Sequence, residues 1–141
     1  MEIMKQKIKS MQLSVILLTT LAFLPSMATA QCPVISNQLF CDVRVQVDVY
    51  SYVTPNVCGT VPCSSYFAFI PAGAMLPVNC GACNVCNVRV TVNNIGGVNV
   101  GGVAADYSTV PPGNPIPLSP APCNPPGGAD IYYIFGTFKI Q

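Results

Sequence analysis

The chain has 141 residues, of which 8% are charged and 51% hydrophobic, with 14 prolines, 8 cysteines and no histidine or tryptophan. Beyond residue 30 only Arg44, Arg89 and Lys139 are basic, against Asp42, Asp48, Asp106 and Asp130, and no glutamate remains. Three scattered cations supply neither the phosphate contacts of a nucleic-acid binder nor an electrostatic membrane tether, and without His or Glu the Ser/His, Cys/His and usual zinc-hydrolase systems are excluded.

At the N-terminus Lys5, Lys7 and Lys9 precede the uncharged run Leu13 to Leu24, which Pro25 ends, and Ala28-Thr29-Ala30 follows. A dozen or so apolar residues fall well short of the ~20 needed for a spanning helix. The pattern of basic start, short apolar run and small residues predicts a cleavable signal peptide over 1–30, cut after Ala30. What remains, 31–141, is expected to be a single secreted domain, extracellular or periplasmic, with no membrane association after cleavage. Gln31 would then be free to cyclise to pyroglutamate. The formal charge beyond the cut is −1, and so uncharged a surface favours self-association over charge-repelled solubility.

All eight cysteines, Cys32, Cys41, Cys58, Cys63, Cys80, Cys83, Cys86 and Cys123, lie beyond the cleavage site. An even number in a small exported chain reads as a disulfide framework. Many pairings are open. The short Cys58-Gly-Thr-Val-Pro-Cys63 segment predicts a Cys58–Cys63 bridge across a turn. Cys80-Gly-Ala-Cys83-Asn-Val-Cys86 has the spacing that opens some iron–sulfur ligand sets, but the fourth cysteine expected soon after is missing and no histidine completes a zinc site. Neither metal nor cofactor is therefore expected.

From Cys41 to Val53 the period is two: Val43, Val45, Val47 and Val49 fall on one face, and Asp42, Arg44, Gln46, Asp48 and Tyr50 on the other. This is a half-buried antiparallel strand. The alternation returns over Cys86 to Val92, so both strands begin their buried rows with a cysteine, and a Cys41–Cys86 bridge is one pairing this permits. Between them the residues predict a short strand over Ser65 to Ile70, a turn at Pro71-Ala-Gly73, and an extended stretch Met75 to Asn79 in which Pro77 marks an edge or bulge. After Asn93-Asn94 a first Gly-Gly pair predicts a hairpin, and a second predicts a bulge in the strand that follows.

The eight prolines between Val110 and Gly128 exclude helix and central strand and predict a long extended loop pinned by Cys123. Ile131 to Ile140, rich in Tyr, Ile and Phe, is expected to be a central closing strand. Together these elements predict an all-β fold: a disulfide-stapled antiparallel β-sandwich of about six to eight strands, with a small β-barrel as the alternative.

Four aspartates are the only acids left for catalysis. Asp42 and Asp48 share a strand face, but six residues of strand separate them by roughly 20 Å, beyond the about 5 to 10 Å of a glycosidase pair; no enzyme is expected. Tyr50, Tyr52 and Tyr107 are the candidate ligand-binding residues, offering aromatic faces for sugar rings or anchors for a protein interface. The segments Asn37-Gln-Leu-Phe-Cys41-Asp42-Val-Arg-Val, Ile70-Pro-Ala-Gly73 and Asn79-Cys80 resemble small secreted cysteine-rich β-proteins of bacteria, a largely uncharacterised group, and the resemblance implies export and a β fold. The expected function is a secreted, non-catalytic binding module for a carbohydrate or protein ligand. The alternative is a self-associating structural, matrix or adhesion subunit, built on the exposed strand edges of an open sandwich.

Overall fold

The structure, a computed structural model, describes residues 32–107, 114–119, 123 and 128–141. The segment 1–30, expected to be a signal peptide, and much of the proline-rich stretch lie outside the described residues. Nine strands are present among the described residues: β1 (Val34–Asn37), β2 (Val43–Thr54), β3 (Val57–Ile70), β4 (Met75–Pro77), β5 (Val85–Ile95), β6 (Val98–Asp106), β7 (Ile116–Leu118), β8 (Ala129–Ile134) and β9 (Thr137–Ile140). They form two sheets, a five-stranded one in the order β4-β1-β9-β8-β7 and a four-stranded one in the order β3-β2-β5-β6. Neither closes into a barrel; the fold is a β-sandwich. No helix among the described residues is long and apolar enough to cross a membrane.

The core follows from the period of two. Val43, Val45, Val47 and Val49 of β2 and Val88, Val90, Val92 and Ile95 of β5 are fully buried and pack with Ile35, Ile131, Phe138 and Ile140 of the other sheet. Burying each such side chain stabilises the fold by about 1.5–3 kcal/mol. Ala74 N–H donates to the carbonyl of Pro71 at 3.1 Å, closing the predicted turn. Gly96-Gly97 turns the β5–β6 hairpin. The two residues gained on β6 between the Val92–Val103 and Asn94–Asn99 pairs form the expected bulge around Gly101-Gly102.

Several expectations are corrected. Ile131 to Ile140 is not one strand but the β8–β9 hairpin, turned at Phe135-Gly136. Both halves lie inside the five-stranded sheet, so their apolar character is retained. The short strand expected over Ser65 to Ile70 is the end of a 14-residue strand, whose first half is masked in the sequence by Gly59 and Pro62. The proline-rich stretch is not loop throughout, since 116–118 forms β7, at an edge where Pro117 leaves no central ladder donor missing. Pro77 likewise sits on the edge strand β4.

The disulfides are Cys32–Cys80, Cys41–Cys123, Cys58–Cys86 and Cys63–Cys83. The Cys58–Cys63 bridge is not formed because both residues lie along β3, where five residues of extended chain span ~16 Å, far more than a disulfide bridges. Cys41–Cys86 fails for a topological reason. β2 and β5 are antiparallel, with Val43 facing Ile95 and Tyr50 facing Asn87, so the two strand starts lie at opposite ends of the sheet. The three cysteines of the 80–86 segment instead go to three separate partners, Cys32 ahead of β1 and Cys63 and Cys58 on β3. Four such bonds belong to an oxidising compartment.

Candidate functional site

The β2–β3 hairpin begins as a regular antiparallel ladder, with seven consecutive pairs from Val43–Ile70 to Val49–Ser64. Beyond Val49 the register breaks three times. The pairing skips Cys63, then residues 59–61 of β3, then Val53 of β2. These bulges free the cysteines from the strand alternation. Because β2 lies between β3 and β5, flat neighbours would hold Cys58 and Cys86 about 9.5 Å apart; their Cα separation is 5.6 Å. The start of β3 therefore curls toward β5, and Cys63–Cys83 adds a second covalent link from β3 to the segment ahead of β5.

At the hairpin tip Pro55 and Asn56 make a two-residue turn between Thr54 and Val57, which pair with each other. Asn56 has φ +70°, the left-handed conformation that a type II turn requires after proline and that asparagine tolerates. The curl leaves a concavity of roughly 570 Å³ lined by Tyr52, Val53, Thr54, Pro55, Asn56 and Asn84. Its floor is tied together by Asn84, whose backbone carbonyl accepts the Tyr52 N–H at 2.9 Å and the Ser51 hydroxyl at 3.1 Å.

The sequence contains Asn-Val-Cys twice, at 56–58 and 84–86. Joining Cys58 to Cys86 places both tripeptides side by side, which is why Asn56 and Asn84 line the same concavity. Their side-chain amides are exposed and make no hydrogen bond to another described residue. Each amide offers two donors and an acceptor, the Thr54 hydroxyl adds one of each, and Tyr52, 43% exposed, presents a ring and a hydroxyl. No charged residue lines the cavity. Its volume falls within the range of small-molecule sites.

No protein-family model, curated protein or solved structure matches this chain. The three tyrosines expected to bind are not brought together. Tyr50 lies on the outer face of the four-stranded sheet with the Arg89 guanidinium 6.0 Å from its ring centre, so one aromatic face is already taken. Tyr107 turns toward the other sheet and packs edge-on against Tyr133 at 5.0 Å, which in turn packs on the buried Phe138. Tyr52 alone lines the concavity. Asn56 and Asn84 were missed by sequence reasoning; the repeated Asn-Val-Cys was the available signal.

A polar row crosses the outer face of the four-stranded sheet. Ser65, Asp48, Arg89 and Asp106 are successive register partners on β3, β2, β5 and β6. The Ser65 hydroxyl donates to Asp48 at 2.5 Å. Arg89 forms a two-point ion pair with Asp106 at 2.9 and 3.1 Å, and Asp106 also accepts from Asn87. The hydrogen bond from Asp106, reinforced by its charge, holds the Arg89 guanidinium pKa above its ordinary value. A smaller hollow of roughly 320 Å³ lies nearer Gly96, lined by Asp42, Arg44, Phe69 and Asn94 among others.

Proposed function

We propose that this chain is a secreted, non-catalytic binding module that takes a neutral carbohydrate in the Tyr52–Asn84 concavity. The observation that carries this reading is the composition of the concavity: an exposed aromatic ring, two exposed asparagine amides and a threonine hydroxyl, with no charge. Such a set suits a sugar, whose apolar ring face stacks on an aromatic and whose hydroxyls both donate and accept. Cys58–Cys86 and Cys63–Cys83 fix the hairpin before any ligand arrives, which lowers the ordering cost of binding. Export is supported by the basic, apolar and small-residue pattern of 1–30 together with the four disulfides. The absence of His and Glu beyond residue 30 favours binding over catalysis.

The test is calorimetric titration of the disulfide-bonded protein with maltotriose, cellotriose and chitotriose. At least one is expected to bind, and Tyr52→Ala and Asn84→Ala each to weaken it by about tenfold, or ~1.4 kcal/mol, with unchanged melting. Failure of all three sugars to bind, or binding indifferent to both substitutions, would overturn the reading.

A further inference from the structure

The four sheet edges are not treated alike. β4 and β7 are three residues long and each carries a proline, Pro77 or Pro117. β6 is bulged around Gly101-Gly102. Shortness, proline and bulges are the devices by which strand edges avoid pairing with other chains. The end of β3 has none of them. Residues 64–70, Ser-Ser-Tyr-Phe-Ala-Phe-Ile, contain no charge, proline or glycine, pair regularly with β2 on one side and, among the described residues, have no strand on the other. On the outer face this edge holds Phe67, 78% exposed, and Phe69, 53% exposed.

We propose that β3 pairs antiparallel with β3 of a second copy about a two-fold axis beside Phe67, joining the two four-stranded sheets into one of eight strands. The register is chosen by what it places together. With Phe67 facing its own copy, Phe69 lies opposite the partner's Ser65 and Tyr66 opposite the partner's Ala68, large against small on both faces. Charge agrees. Arg44 shares a cross-strand row with Phe69, and Asp48 shares one with Ser65, so each Arg44 row continues into the partner's Asp48 row three strand spacings away, about 14 Å, a weak preference at low salt that screening removes. A parallel arrangement in the same register would instead align Arg44 with Arg44.

Phenyl side chains bury about 150–250 Å² when fully enclosed; pairing in the plane of the sheet covers the flanks of the four rings and leaves their outward sides in water, so the rings supply a part of that area. The facing backbones and small side chains bring the contact toward the ~1,000 Å² of a specific interface. Seven residues on each side form a shared ladder of about 23 Å. An isologous contact of this kind closes at two copies.

Sedimentation velocity on the disulfide-bonded protein, with and without Phe67→Lys, tests the pairing. The unsubstituted protein is expected to sediment as a dimer at micromolar concentration and Phe67→Lys as a monomer, since two lysines would meet across the axis. Val61→Lys is the control: Val61 is 76% exposed but lies outside the paired segment, and the dimer should persist. Amide exchange read on the unsubstituted protein should slow with concentration in residues 64–70 and not in β6. A monomer throughout, an open-ended polymer, exchange at 64–70 indifferent to concentration, or a dimer lost equally in Val61→Lys would each overturn the proposal.

Discussion

The side-chain amide of Asn37, on β1 of the five-stranded sheet, donates to the backbone carbonyl of Ile70, the last residue of β3 in the four-stranded sheet, at 3.0 Å. The same nitrogen reaches the carbonyls of Cys41 at 2.9 Å and Pro71 at 3.0 Å, while the amide oxygen accepts the Leu39 N–H at 3.1 Å. Asn37 is buried, so one residue ties the two sheets at the end where the chain passes between them. Truncation leaves several polar groups without a partner, each costing about 1–3 kcal/mol where water does not enter. Asn37→Ala is expected to lower stability by ~2–4 kcal/mol in urea unfolding. Asn37→Asp should be no better, because an ionised carboxylate has no proton to give those carbonyls.

Gly96 and Gly97 separate two effects in one turn. Both have positive φ, where a side chain is strained by about 1–3 kcal/mol. A Cβ on Gly96 would also collide with Cys123 Sγ and stand 3.1 Å from Cys41 Sγ, whereas one on Gly97 meets nothing. Gly96→Ala should therefore lower the melting temperature clearly more than Gly97→Ala.

The Arg89–Asp106 pair is well formed but open to water, the two side chains being 44% and 17% exposed. Solvent-screened pairs contribute about 0–1 kcal/mol. A double-mutant cycle with Arg89→Met and Asp106→Asn should give a coupling energy in that range, shrinking as salt is added.

Burial pushes the Tyr133 phenol above the ordinary tyrosine pKa; a backbone hydrogen bond involving Gly136 opposes this and Tyr107 adds to it. The sign follows from which state keeps its proton. Up to about pH 10 both states hold it and the contribution is intact. As pH rises further the unfolded chain ionises first, so stability falls until the folded-state pKa is passed. Alkaline unfolding curves for Tyr133→Phe should decline less steeply than for the unsubstituted protein, and spectrophotometric titration should lose its late-ionising tyrosine.

Strands β2 and β5 were legible because each buries one face, which forces the valine alternation at 43–49 and 88–92. The curled half of β3 was not, since its conformation is imposed by bulges and by bonds to Cys83 and Cys86 from a distant segment. Disulfide pairing was hidden for the same reason: it depends on which strand ends the antiparallel topology brings together. Among the candidate tyrosines, strand alternation placed Tyr50 on the outer face correctly. Nothing local disclosed that Arg89 would sit over its ring, or that Tyr107 would pack edge-on against Tyr133 of the other sheet.

β1 and β9 run parallel, side by side, from the Val34–Thr137 pair to Asn37–Ile140. Parallel neighbours need a crossover, and here the crossover is the rest of the sandwich. No growing or emerging chain can complete the five-stranded sheet until Ile140 is free to dock between β1 and β8. Non-local closure of this kind slows folding, so the two flanks of the five-stranded sheet stay unjoined until β9 has docked. Removing 137–141 should accordingly split the five-stranded sheet into β4-β1 and β8-β7 rather than fray one end of it.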